Sequence, residues 1–255
     1  MSYLEKYSDV RRNPGLLLEG AQSVILTAFS YANPDAVRSI EKSNAPRIAE
    51  YALGTDYHEV IKERLRKVGK LLEERHGGTT RVCIDTAPLR ERYWARQAGI
   101  GYTGVNNQLI IPGKGAHFCL GTILWTEAPV DGFDKPCADE CLHCNSCVKN
   151  CPGKALNAKG ELDARRCLSY LTIEHKGEIP PDIDPGRNIF GCDVCRRVCP
   201  LEPSNPQTTN IPEFIARTEI LSLTSRDWEN MSEEKFNTIF RKSAVRRAKK
   251  RLVRQ

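Results

Sequence analysis

Eight of the eleven cysteines lie between Cys141 and Cys199, in a spacing that suits iron–sulfur chemistry. Cys141, Cys144, Cys147 and Cys151 spell C-x2-C-x2-C-x3-C, with Pro152 next. Cys192, Cys195 and Cys199 repeat the C-x2-C-x3-C-P half, ending at Pro200, and Cys167 stands alone between the runs. Two residues between cysteines let a tight loop aim successive thiolates at different irons of one cubane cluster. In two-cluster ferredoxins, the cysteine before proline reaches across to the other cluster. That rule gives Cys141, Cys144, Cys147 and Cys199 to one 4Fe–4S cluster and Cys151, Cys167, Cys192 and Cys195 to a second, with none of the eight left over. Zinc would suit the C-x2-C units but asks for neither the third cysteine nor the x3-C-P ending. A disulfide framework needs an exported chain. Cys83 and Cys119 sit in apolar runs and read as small buried hydrophobes, and Cys137 also falls outside the pattern.

Clusters store and pass electrons, so something else in the chain must use them. Asp85 follows the apolar run TRVCI (80–84) and precedes Thr86-Ala87-Pro88. A carboxylate at a strand end beside a turn is placed for proton transfer, and equally for capping the helix that Pro88 opens. Asp56 precedes His58 at another helix start, where it is a cap or part of a site. Arg92, one turn into the Pro88 helix, faces either the same pocket or solvent. No G-x-G-x-x-G follows a strand, so a Rossmann nucleotide site is not expected; Gly99, Gly101 and Gly104 read as a helix stop and tight turns. From Arg241 to Gln255 there are eight basic residues and no acid, more than the whole net charge of +6. That end is either a nucleic-acid contact or a solvated basic helix.

These residues need a scaffold, and 255 residues suffice for a real core. Residues 22–30 form an apolar run fit for a buried strand, and Tyr31–Pro46 reads as loop between Asn33-Pro34 and Ala45-Pro46. Val60, Ile61, Leu65, Val68, Leu71 and Leu72 recur at helical spacing from His58 to His76, stopped by Gly77-Gly78. A strand at Thr80–Ile84, a helix from Pro88 to Ala98, and two strands at Asn106–Ile111 and His117–Thr126 joined by a Pro112–Gly115 turn follow. Residues 131–139 are linker-like, residues 202–212 carry three prolines and should wrap the surface, and helices are expected near 232–241 and 243–254. The division expected is residues 1–130, 131–212 and 213–255, the last a basic helical segment. The polar start lacks an export signal, no run of about 18 apolar residues exists, and the cysteine usage points to a cytoplasmic protein with no membrane contact.

YALGTDYH from Tyr51, DTAP at Asp85–Pro88, AGIGYTG at Ala98–Gly104, ARRCLSYLTIEHKG at Ala164–Gly177 and GRNIFGCDVC at Gly186–Cys195, in this order, resemble the epoxyqueuosine reductases along the whole chain. The resemblance implies an α+β protein: a cobalamin-binding α/β sandwich-like domain followed by a bacterial ferredoxin-like domain with two 4Fe–4S clusters. It implies a cytoplasmic, monomeric oxidoreductase that reduces epoxyqueuosine to queuosine at the tRNA wobble position, the last step in making that base. Its partners would be tRNA and an external low-potential donor of flavodoxin or ferredoxin type. By matching position, Asp85 would be the proton donor and Asp56, His58 and Arg92 would line its pocket. Asn106, Leu109, Leu120 and Ser169 would hold the corrin, and the eight cysteines would take the crossed sets above. Val105 stands where the family usually has lysine, and the helical lead and helical-repeat extension of many members are not expected here. None of the five histidines lies in D-x-H-x-x-G, so cobalt is expected without a protein histidine below it. Two rivals explain less. A reductive dehalogenase would use a tyrosine acid, and a plain two-cluster carrier would leave residues 1–130 without a task.

Overall fold

The computed structural model describes residues 7–129 and 131–253. Met1, at the expected unexported start, and Arg254 and Gln255, at the end of the basic run, lie outside the described residues. After a short helix α1 (Ser8–Arg12), the apolar run forms strand β1 (Ser23–Ser30). Where loop was expected there is a helix, α2 (Pro34–Lys42). Pro34 is the reason: at the first helical position its fixed φ suits the helix and its missing N–H costs nothing. Ala36 and Ile40 then turn one face of α2 into a core.

Strand β2 (Arg47–Ile48) leads to the long helix α3 (Tyr57–His76), which Asp56 caps by accepting the His58 N–H at 3.1 Å. Val60, Ile61 and Leu65 are buried as their spacing demands, but Val68 and Leu71 are exposed. Strand β3 (Thr80–Cys83) ends just before Asp85. Helix α4 (Glu91–Gln97) starts three residues later than Pro88, because Leu89 is first buried under the sheet. Strands β4 (Tyr102–Thr103) and β5 (Leu109–Ile110) form a small hairpin of their own. The expected pairing of the 106–111 and 117–126 runs is therefore replaced: strand β6 (Phe118–Trp125) leaves that neighbour and becomes the centre of an antiparallel sheet ordered β1-β6-β3.

Register fixes the sheet's two faces. Phe29, Ile25, Cys119, Ile123 and Val82 turn toward α3, while Val24, Leu124 and Cys83 pack on Leu89 and Trp94. Gly121 lets α3 close on the sheet: a Cβ there would lie 2.6 Å from both Ile61 Cγ2 and Leu65 Cδ1.

The cysteine segment holds short helices α5 (Ser146–Lys149) and α6 (Leu168–Ile173), strand β7 (Asn188–Phe190), parallel to β2, and helix α7 (Val194–Arg197). Residues 202–212 run over the surface, with Thr209 buried and donating its hydroxyl to the Ser30 carbonyl. Four helices then follow: α8 (Thr218–Leu221), α9 (Ser225–Glu229), α10 (Glu233–Phe240) and α11 (Lys249–Leu252), with a 3-10 turn at Ala244–Ala248. These are not a free basic tail. Trp228, Met231, Phe236, Phe240, Ala244, Val245 and Ala248 form one core with Ile48, Leu53 and Phe190. The Ser243 hydroxyl donates to the Ala52 carbonyl, and the Asp56 N–H donates to the Lys242 carbonyl.

Candidate active site and cluster ligand sets

Three ionisable groups meet where the start of α3 faces the end of β3. His58 Nδ1 lies 2.7 Å from Asp56 Oδ1, and Nε2 lies 3.2 Å from Asp85 Oδ2, so one imidazole bridges two carboxylates. Burial alone would lower the His58 pKa, but the hydrogen bonds to Asp56 and Asp85 outweigh it and raise it. Asp85 is lowered, first by its hydrogen bond with His58, against burial and with help from Tyr57 and Arg247. Asp56 is lowered too, its bonds with His58 outweighing its burial. The site is thus an imidazole held between two carboxylates, its charged form favoured by both and opposed by the nearby Arg247. His58 is nearly enclosed and Asp85 is half-exposed, as a group that must meet a substrate would be.

Asp85 sits in the left-handed region at φ 39°, a strained place for a residue other than glycine. Its N–H donates to Glu91 Oε1 at 3.1 Å. Burial pushes the Glu91 carboxyl up to about 7, with the Asp85 charge adding to it. Tyr57 lies on the His58 ring, centroids 4.0 Å apart.

Sequence reasoning missed Arg247. Its Nη2 lies 2.9 Å and 3.0 Å from the two ring nitrogens of His58, so a guanidinium from the basic run closes the pocket. No local signal marks it among its basic neighbours; the buried Ala244, Val245 and Ala248 beside it are what aim it inward. Glu91 was missed as well, because nothing in its spacing announces burial. Arg92 lies within electrostatic reach of Asp85 and Glu91 and donates from Nη1 to the Asn107 carbonyl, which ties α4 to the β4–β5 hairpin.

The thiols fall into two groups. Cys141, Cys144, Cys147 and Cys199 line one cavity, roofed by Val105, Ile110 and Leu201. Cys192 and Cys195 are raised to about 11 and about 12, first by burial and then by nearby charges that include Cys151 and Cys167. Cys199 is raised first by burial and then by Cys144 and Cys141. The charges thus couple along the crossed sets, although Cys195 and Cys199 are only four residues apart. Each run has the same local device: a left-handed residue, Asn145 (φ 59°) or Asp193 (φ 61°), directly before a one-turn helix carrying a cysteine. Among the described residues no three His, Cys, Asp or Glu side chains converge on a point for one metal ion.

Val105 packs between the sets, against Cys147 and Cys195. Asn106 is buried and donates from Nδ2 to the Cys195 carbonyl at 3.3 Å. Ser169 lies two residues past Cys167 on α6, Leu109 is buried on β5, and Leu120 is half-buried on the sheet face away from α3. Asn106 and Ser169 thus each lie beside a cysteine of the second thiol set. Cys119, next to Leu120, is buried within electrostatic reach of Asp85.

The family description "Epoxyqueuosine reductase QueG, DUF1730" matches residues 11–86, and "4Fe-4S double cluster binding domain" matches residues 140–202, which hold all eight cysteines. The epoxyqueuosine reductase of Cyclobacterium marinum is 38% identical over 98% of this chain and 79% of its own length. That of a Synechococcus strain is 37% identical over 92% and 72%. A solved epoxyqueuosine reductase with an epoxyqueuosine-modified tRNA-Tyr stem loop superposes with a TM-score of 0.81 at 30% identity, over 93% of this chain. The Bacillus subtilis enzyme, solved with its catalytic aspartate loop swung out of the active site, gives 0.79 at 29% identity, over 95% of this chain. This chain spans 64% and 65% of those two.

Proposed function

The chain belongs to the epoxyqueuosine reductase family, and from that premise we propose that it reduces epoxyqueuosine to queuosine in tRNA, with Asp85 as the final proton donor. The observation that carries this reading is the Asp56–His58–Asp85 line, an imidazole between two carboxylates of which Asp85 is half-exposed, in a chain that a 4Fe-4S double cluster binding domain matches. The balanced reaction takes two electrons and two protons: the epoxide oxygen leaves as water and the two ring carbons become an alkene.

The thiol chemistry and grouping fit two 4Fe–4S clusters in the crossed sets. By matching position, Asn106, Ser169, Leu109 and Leu120 would hold a cobalamin. What these groups supply when bound is low-potential electron delivery, singly through the clusters and as a pair at cobalt. The rest falls to side chains. His58, charged between two carboxylates, keeps a proton within reach of Asp85, which passes it to the departing oxygen. Asp85 therefore need not itself be protonated at rest, which reconciles its lowered pKa with an acid's role. Arg247 and Arg92 place positive charge around the pocket, suited to a polyanionic substrate such as the stem loop in the solved relative. No helix among the described residues is long and apolar enough to cross a membrane.

The test is Asp85→Asn in anaerobically reconstituted protein. Single-turnover conversion of epoxyqueuosine-modified tRNA should fall about 10²–10⁴-fold, the worth of one placed acid, with iron, cobalt and tRNA binding unchanged. Normal turnover by the variant would remove Asp85 from its role.

A further inference from the structure

The loop that presents Asp85 is anchored at both ends, and between them Thr86 and Ala87 bond back to the Ile84 carbonyl while the Asp85 amide turns outward from these bonds. Ile84 and Leu89 are buried in separate cores, while Asp85 and Thr86 are exposed. Asp85 has a left-handed backbone, so its peptide needs an outside partner to hold it there. That partner is Glu91, six residues on in the first turn of α4, whose Oε1 accepts the Asp85 N–H at 3.1 Å. The bond closes the loop into a ring and sets the direction in which the Asp85 carboxylate leaves the chain, toward His58 Nε2. Toward His58, Glu91 acts through charge alone among the described residues.

We propose that Glu91 is the positioning residue for Asp85: its carboxylate pins the loop by accepting the Asp85 amide, and a proton on Glu91 lets the loop go. The chemistry is that of a charge-assisted bond. A carboxylate is a far stronger acceptor from an amide than a carboxylic acid, so protonation takes away most of what holds the strained peptide. Glu91 is placed to change state near neutrality because burial pushes it up to about 7. The groups that face it are Asp85 on the loop, His58 on α3, Arg92 on α4, Cys83 on β3 and Cys119 on β6. Asp85 opposes its ionisation, whereas His58 and Arg92 favour it. The inference rests on the reading of Asp85 as proton donor for its functional meaning, but not for its physical content.

Amide hydrogen exchange of the 84–90 segment in reconstituted, substrate-free full chain, corrected for intrinsic rates from pH 5.5 to 8.5, tests the latch without turnover. Wild type should show protection that rises several-fold through about pH 7. Glu91→Gln keeps an acceptor but cannot titrate, so the rise through about pH 7 should be lost, leaving only the fall in protection that loss of the His58 charge brings as pH increases. Glu91→Ala should exchange about tenfold faster at pH 8, the change expected for losing one charge-assisted hydrogen bond, with α3 peptides unchanged. In activity, the limb near pH 7 in the wild-type kcat profile should disappear in Glu91→Gln. Protection that still rises through about pH 7 in Glu91→Gln, or wild-type protection that does not rise there, overturns the latch, and so does protection of folded Glu91→Ala equal to wild type at pH 8. If Glu91→Ala does not fold, the Gln comparison decides alone. Failure of wild type to convert modified tRNA would count against the proposed function and leave the exchange result standing.

Discussion

His58 is the residue on which the pocket's electrostatics turn, because it joins two carboxylates that would otherwise repel each other. Its folded pKa lies above the ordinary value near 6.5, so its contribution to stability is complete below that pH and is lost as pH rises through the raised value. Asp56 and Asp85 run the other way. Both are lowered, so their contribution is complete above the ordinary aspartate value near 3.9 and is lost as pH falls through the lowered values. The difference in melting temperature between wild type and His58→Asn should therefore be widest between about pH 4 and 6.5 and narrow on both sides. Thermal unfolding at five or six pH values measures it; a difference that does not vary with pH would show that the bridge carries no net charge interaction. Residues of this kind were half legible. The DTAP and DYH motifs pointed to Asp85, Asp56 and His58, yet the sequence has no way to show that one ring would reach both acids.

Periodicity carried most of the reading at the scale of elements. It placed β1, α3, β3 and β6 because each buries a face with a regular repeat. It failed at α2, where Asn33-Pro34 looked like a breaker although proline at a first helical position starts a helix. It failed again at the hairpin, because runs as short as β4 and β5 carry no period to read. Gly121 is an element-scale feature that no pattern marks. Gly121→Ala would set a Cβ 2.6 Å from Ile61 and Leu65, and overpacking of this kind should cost about 1–3 kcal/mol in urea unfolding. The thiol runs make a second prediction. Cys167→Ala should leave about four irons per chain in place of about eight, because the second set loses its fourth ligand, whereas Cys137→Ala should keep all of them. Iron analysis beside the visible spectrum distinguishes the two, and equal loss in both variants would refute the crossed sets.

Across the whole molecule, the least legible fact is that residues 220–248 belong to the same core as residues 36–53 and 190. The basic residues at its end left a nucleic-acid contact and a solvated helix both open, and their charge hid the apolar face between them. Deleting Arg241–Gln255 removes Ala244, Val245 and Ala248 from that core and Arg247 from the pocket, so the protein should lose several degrees of melting temperature as well as tRNA affinity. Arg246→Ala, on an exposed position of the same stretch, should weaken tRNA binding and its salt dependence with no change in melting temperature. Calorimetry and filter binding on the two proteins separate packing from charge, and a deletion that melts like wild type would show the stretch to be dispensable to the fold. The same threading sets an order of events during synthesis. Both thiol runs leave the ribosome before residues 220–248 do, so a nascent chain presents its eight thiols while the pocket around His58 still lacks Arg247. The turn at Ala244–Ala248 completes it, and only a chain translated through that turn sets the guanidinium beside the imidazole.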